Sequence, residues 1–264
     1  MKDASTAKPV GLSAVEPQGD TGLLDTAMEA ALLVMRSGGS TMAAERSFAR
    51  ILNGCGVQAA SSVWRLDFIA ASVGTTSLIK AVGPIGVNLT RASEVAVLGE
   101  RAARGELAGA SLKSEVERLR RLPSPYGRGL TVAMAAATAG CFSQIAGGDW
   151  GSFGIAAVAA GAGQTLRGLL QTRKVAAAPI TLICGLLSAL IGAIGLRLGY
   201  SQAPAATLIA SIIYVVPGLP LINGFVDLIS YKHLCVGVER MVNAIFLFVV
   251  LAVAVAFAQT LIAL

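Results

Sequence analysis

The sequence predicts an α-helical membrane protein: five transmembrane helices preceded by a small cytoplasmic α+β domain. Three observations point there. Of 264 residues, 55% are apolar and only 14% charged, an oilier balance than a soluble domain of this length needs. Charge is also segregated: residues 1 to 128 hold fifteen Lys/Arg and twelve Asp/Glu, and residues 129 to 264 hold six and three. Finally, from Gly129 onward the chain runs through repeated apolar stretches long enough to cross hydrocarbon, which takes ~20 helical residues. The net charge of +6 gathers beside apolar segments rather than among exposed aromatics, which argues for membrane orientation and against nucleic acid.

Residues 1 to 20, rich in Ala, Ser, Pro and charged groups, read as a disordered lead without the apolar stretch of a signal peptide. The α+β domain follows over 21–122. Between Leu23 and Met35, Leu24, Ala27, Met28, Ala31, Val34 and Met35 recur at helical spacing. Gly38 and Gly39 stop that helix, and Ser40 or Thr41 caps a second one with Ala44, Phe48, Ile51 and Leu52 on its buried side. Residues 57 to 82 alternate in three short runs, the pattern of strands. After Gly83-Pro84 and Gly86, two more helices are expected over 90–104 and 111–121, separated by Gly105 and Gly109.

Pro123 and Pro125 mark the boundary with the membrane domain, 129–264. Its spans are predicted at about 129–147, 152–171, 178–198, 203–222 and 240–262. Gly/Ala runs such as 156–163 suit close helix packing. Arg118, Arg120, Arg121 and Arg128 precede the first span; Arg167, Arg173 and Lys174 flank the loop after the second; Lys232 and Arg240 flank the loop after the fourth. The opposite ends carry only Arg197, so the N-terminal domain is expected inside the cell and the C-terminus outside.

The chain displays no GxSxG, Walker loop, HExxH or CxxC pattern, and the four cysteines lie far apart. Catalysis, a metal and a cofactor are therefore not expected. His233, the sole histidine, reads as a solvated loop residue, and Glu45 and Asp67 as surface or salt-bridge groups. Asp149 and Trp150 read as a turn and an interface anchor.

Chemistry concentrates at Val215 to Asp227. Pro217, Gly218 and Pro220 break the helix inside an apolar span and free carbonyls that lipid cannot satisfy. One reading makes the break a substrate site, with Asn223 bonding a polar substrate and Asp227 carrying a proton or cation. The other makes it a kink near the cytoplasmic end, with Asn223 and Asp227 already among headgroups. Gln164 and Arg167 share a helix face and could meet a carboxylate; alternatively Arg167 snorkels to the inner surface and Gln164 pairs with a neighbouring helix.

Val216-Pro217-Gly218-Leu219-Pro220-Leu221-Ile222-Asn223-Gly224-Phe225-Val226-Asp227 closely resembles the VPG-x-PL-x-N-x-x-x-D signature of the bacterial threonine/serine exporter family, N-terminal-domain component. The resemblance extends from about Leu23 to Leu264. It includes Gly39-Ser40-Thr41 with Glu45, Gly86-Val87-Asn88-Leu89, Leu122-Pro123 with Tyr126, and Gly147-Gly148-Asp149-Trp150. It implies a proton-gradient-coupled secondary exporter in the bacterial inner membrane, with threonine- and serine-type amino acids or dicarboxylates such as succinate as substrates. Because the chain ends after the fifth span, the resemblance is to the split type, similar to the larger subunit of the two-component succinate exporter, which pairs with a separate four-span membrane subunit. Ala43 and Lys80 stand where many relatives carry arginine, so no role of those arginines is carried over. The competing expectation is a membrane-anchored regulatory or scaffold protein acting through its cytoplasmic domain.

Overall fold

The computed structural model describes residues 18–57 and 60–263; the predicted lead lies outside the described residues as far as residue 17. The first helix, α1 (Gln18–Arg36), is buried on nearly every side rather than along one stripe: Ala30, Leu32 and Leu33 are as enclosed as the predicted Leu24, Met28 and Met35. A helix apolar all round belongs at the centre of a domain, and the rest of this half packs around it. Gly38 turns the chain with φ +85, and Ser40 accepts the Ala43 N–H at 3.2 Å to start α2 (Thr41–Gly54), whose Ala44, Phe48, Ile51 and Leu52 face α1.

Three strands follow, β1 (Ala60–Trp64), β2 (Phe68–Val73) and β3 (Thr76–Ala81), in an antiparallel meander with Trp64 opposite Ile69 and Val73 opposite Thr76. Alternate residues Ile69, Ala71 and Val73 point into the core. Helices α3 (Leu89–Ala103, capped by Asn88) and α4 (Gly109–Arg121) close the domain with Val95, Leu98, Leu112, Val116 and Leu119. Each such side chain contributes about 1.5–3 kcal/mol on burial, so this half has a dense core of its own.

The second half contains α5 (Arg128–Ile145), α6 (Trp150–Thr172), α7 (Ala177–Arg197), α8 (Pro204–Ile212), α9 (Gly218–Ile229) and α10 (Leu234–Ala263), with a 3₁₀ turn at Ile213–Val215. Among the described residues, α6, α7 and α10 are each long and apolar enough to cross a membrane; Pro204–Val215 and Gly218–Ile229 make a fourth if taken as one span bent by 71°. The first predicted span corresponds to α5, which does not reach that standard: its 18 residues begin on a charge at Arg128 and end on Gln144-Ile145. Exposed Val242, Ile245, Phe246, Val249, Val253 and Phe257 leave one flank of α10 apolar, as lipid requires.

Candidate functional site

The break begins where the 3₁₀ turn ends. Val216 is extended, and Pro217 (φ −77, ψ 55) forms an inverse γ-turn in which the Gly218 N–H donates to Val216 O at 2.8 Å. Pro220 then falls in the first turn of α9, where a missing N–H removes no intrahelical bond. The two prolines thus end one helix and start the next. A Cβ on Gly218 would meet open space.

On the α8 side of the break, Arg167 of α6 donates through Nη1 to Tyr214 O at 2.9 Å, satisfying a carbonyl that the lost helix no longer uses. The Tyr214 hydroxyl lies 3.0 Å from Ser188 Oγ and 3.3 Å from Cys184 O, and Ser188 donates to Ala159 O at 2.9 Å. Gly163 makes this fit possible: a Cβ there would stand 1.8 Å from Tyr214 Oη and 2.4 Å from Ser188 Oγ. Gln164 is half-buried, one turn before Arg167 on the same helix.

On the other side, α9 leans on the N-terminal domain. Asn223 donates through Nδ2 to Gly38 O at 2.8 Å. Asp227, fully buried, accepts the Thr41 hydroxyl at 2.8 Å through Oδ2, and Arg240 Nε lies 3.3 Å from the same oxygen. Arg240 Nη2 also reaches Gly39 O at 3.3 Å and Thr41 Oγ1 at 3.4 Å. Asp227 Oδ1 is buried without a hydrogen-bond partner among the described residues. Two further carboxylates flank this pair: Glu45 meets Lys232 Nζ at 2.6 Å and His233 Nε2 at 3.0 Å, and Glu239 takes the Leu66 N–H at 3.1 Å and pairs with Arg65.

Asn223 and Asp227 therefore face the turn and first residues of α2, whereas Arg167 serves the break from α6. The sequence-predicted residues are not gathered into one cluster; they lie on opposite sides of the elbow. His233, expected in solvent, is 5% exposed, bonded to Glu45 and set edge-on to Trp64. Sequence reasoning missed Thr41 and Arg240 as partners of Asp227. Arg240 had a weaker signal: Asp227 and Arg240 stand three and seven residues from the tight turn at residues 230–233, on the two helices of one hairpin.

At the far ends of α6 and α8, Asp149 joins two loops. Its Oδ1 accepts the Ser152 N–H at 2.7 Å, capping α6, and its Oδ2 accepts the Gln202 N–H at 2.8 Å across the α7–α8 connection. Those hydrogen bonds, from Gln202 first and Ser152 second, hold its pKa below the ordinary aspartate value. Among the described residues, no three His, Cys, Asp or Glu side chains come together as a metal site.

Comparison with known proteins adds three findings. A family model described as "Putative threonine/serine exporter" matches residues 25–262. The "Probable succinate transporter subunit YjjP" of Klebsiella aerogenes is 29% identical over 140 residues, which is 53% of this chain and 54% of that protein, so the likeness spans about half of each. No solved structure matches.

Proposed function

The chain belongs to the threonine/serine exporter family, and on that premise we propose that it is a secondary-transporter subunit that moves small polar metabolites out of a bacterial cell across the inner membrane. The substrate class is amino acids of the threonine/serine type or dicarboxylates such as succinate, the latter because the similar Klebsiella protein is named a succinate transporter subunit. That same name supports a separate partner subunit, here a four-span one. In this reading α5, α6, α7, the α8–α9 elbow and α10 are five spans, residues 21–122 form a cytoplasmic domain, and the C-terminus lies outside. No nucleic acid, metal or cofactor enters the mechanism, and the chain is not an enzyme.

The observation that carries the reading is the elbow itself. A 71° bend flanked by two prolines gives the membrane domain a discrete joint, with Pro217, Gly218 and Pro220 at its apex and a buried, half-satisfied carboxylate at Asp227 beyond it. In this reading Asp227, one turn beyond Asn223, is the group that carries the proton or cation. Proton uptake and elbow movement are thereby linked through one side chain. Asn223 fixes the start of α9 to the N-terminal domain, and Gln164 and Arg167 supply polar groups on the membrane side.

Asp227→Asn is the direct test. In loaded cells efflux falls strongly and loses its sensitivity to a proton ionophore, while the protein still reaches the membrane at normal levels; unchanged efflux removes Asp227 from the mechanism. The docking of Asn223 and Asp227 on the N-terminal domain gives the rival reading, a membrane-anchored regulatory or scaffold protein, its one specific support. Flux in proteoliposomes, with and without a four-span partner, separates the two: an anchor gives none under any gradient.

A further inference from the structure

The charge of Arg167 has no counter-charge in the structure. Among the described residues it makes one hydrogen bond, to Tyr214 O, and no ion pair, so four of its five N–H donors are unused. Its depth makes this consequential. Asp149 holds Ser152 and Gln202 at one level, so α6 and α8 start together. Arg167 lies seventeen residues below Trp150, about 25 Å, and Tyr214 ten residues below Pro204, about 15 Å, at ~1.5 Å per residue. The side chain reaches from the lower level toward the upper one, which in the five-span reading puts the guanidinium inside a hydrocarbon core ~30 Å thick rather than at its inner face. An arginine that snorkels turns the other way. Headgroup phosphates do not reach this depth, and an unpaired guanidinium held there is costly unless an anion joins it.

We infer that Arg167, placed by the Tyr214 carbonyl at the elbow, is the binding site for a substrate carboxylate. The guanidinium fork matches a carboxylate in two-point geometry. Gln164, on the same helix face, offers an amide to the same ligand, and the hydroxyls of Tyr214 and Ser188 are the neighbouring polar groups in an otherwise apolar surround. Tyr214 is a positioning residue: its ring, anchored on Ser188 and the Cys184 carbonyl, fixes the backbone oxygen that holds Arg167. A carboxylate is common to amino acids and dicarboxylates, so the site binds the shared group and leaves discrimination to the rest of the substrate. The inference rests on the export reading for the identity of the ligand, while the carboxylate site itself can be tested without transport.

The test measures ligand-dependent thermal stability of the purified full chain in detergent, with threonine and succinate as separate arms and their methyl esters as controls. The acids stabilise the wild type and the esters do not; Arg167→Gln abolishes the response, and Arg167→Lys keeps a weakened one. In proteoliposomes, Arg167→Lys raises KM about tenfold, the loss of roughly one charge-assisted hydrogen bond, and Tyr214→Phe raises it less, with a smaller change in maximal rate in both. Equal stabilisation by acids and esters, or an unaltered response in Arg167→Gln, overturns the site. A response to anionic lipid alone, or loss of a co-purifying partner with carboxylate binding intact, overturns it too by assigning the counter-charge elsewhere. Arg167-dependent binding with no wild-type flux sinks the export reading and leaves the site standing.

Discussion

The two arms of the elbow are held by different physics. The α8 arm rests on small residues and hydroxyls: Gly163 admits Tyr214, Ser211 donates to Thr207 O at 2.7 Å within its own helix, and one arginine caps the broken end. The α9 arm rests on charge: Asp227, Arg240, Glu45, Lys232, His233, Glu239 and Arg65 connect it and the start of α10 to a domain made by the first half of the chain. Shape complementarity is insensitive to protonation, whereas a chain of ion pairs is not. The joint between the arms is therefore where an arm held by charge meets an arm held by packing.

The largest effect expected from this contrast comes from removing one charge at the α9 arm. Arg240→Leu leaves a fully buried Asp227 without its counter-ion, which costs about 3–5 kcal/mol. The double variant Asp227→Leu with Arg240→Met replaces the pair by apolar volume and recovers most of that stability, because neither charge is then stranded. Unfolding in detergent, with proteolysis between residues 121 and 128 as a probe of domain release, compares the three proteins. If the single and double variants are equally stable, the α9 arm is not held by this ion pair and the contrast between the arms fails.

A smaller effect is expected on the α8 arm, and from volume alone. Gly163→Ala places a methyl 1.8 Å from Tyr214 Oη, so the phenol leaves its contacts with Ser188 and Cys184 O. Overpacking of this kind costs about 1–3 kcal/mol. Adding Tyr214→Phe to Gly163→Ala recovers part of the loss, since the ring without its hydroxyl is the smaller obstacle. The effect is the same at pH 6 and pH 8 in the same unfolding assay. A pH-dependent penalty would mean that the α8 arm, too, is governed by a titrating group.

Much of this architecture was legible in the chain, and the reasons are local. Pro217 and Pro220 announce a break wherever they stand, because a missing N–H is a property of the residue. Gly38, Gly39 and Ser40 announce the α1–α2 turn in the same way. The alternation of residues 57 to 82 anticipated a three-stranded sheet for a similar reason. The partner of Asp227 was not legible: Thr41 lies 186 positions away, and neither spacing nor composition carries information over that separation. The same holds for His233, whose burial depends on Glu45 and Trp64 arriving from another domain. Arg167 lies between these cases. The sequence placed it in a predicted span and left open whether it snorkels; the structure adds one contact that spacing does not show, with the carbonyl of Tyr214, 47 positions on.

The far end of the α8 arm tests whether charge acts there as well. Asp149 is half-buried in the loop before α6, and its two oxygens hold the amides of Ser152 and Gln202 and so fix where α8 begins. Its folded pKa lies below the unfolded value, ~3.9 for aspartate. A depressed carboxylate contributes stability that is fully present above the unfolded pKa and is lost as pH falls through the folded one. The clasp is therefore constant from pH 5 to pH 8 and opens only on acidification below the ordinary aspartate range. Hydrogen exchange at the Ser152 and Gln202 amides, corrected for intrinsic rates, shows unchanged protection across pH 5 to 8 in the wild type. In Asp149→Ala protection falls at both positions over the same range, since neither oxygen remains. If protection in the wild type instead tracks pH within that window, the Asp149 clasp is itself a proton-responsive element. The two arms would then differ in degree rather than in kind.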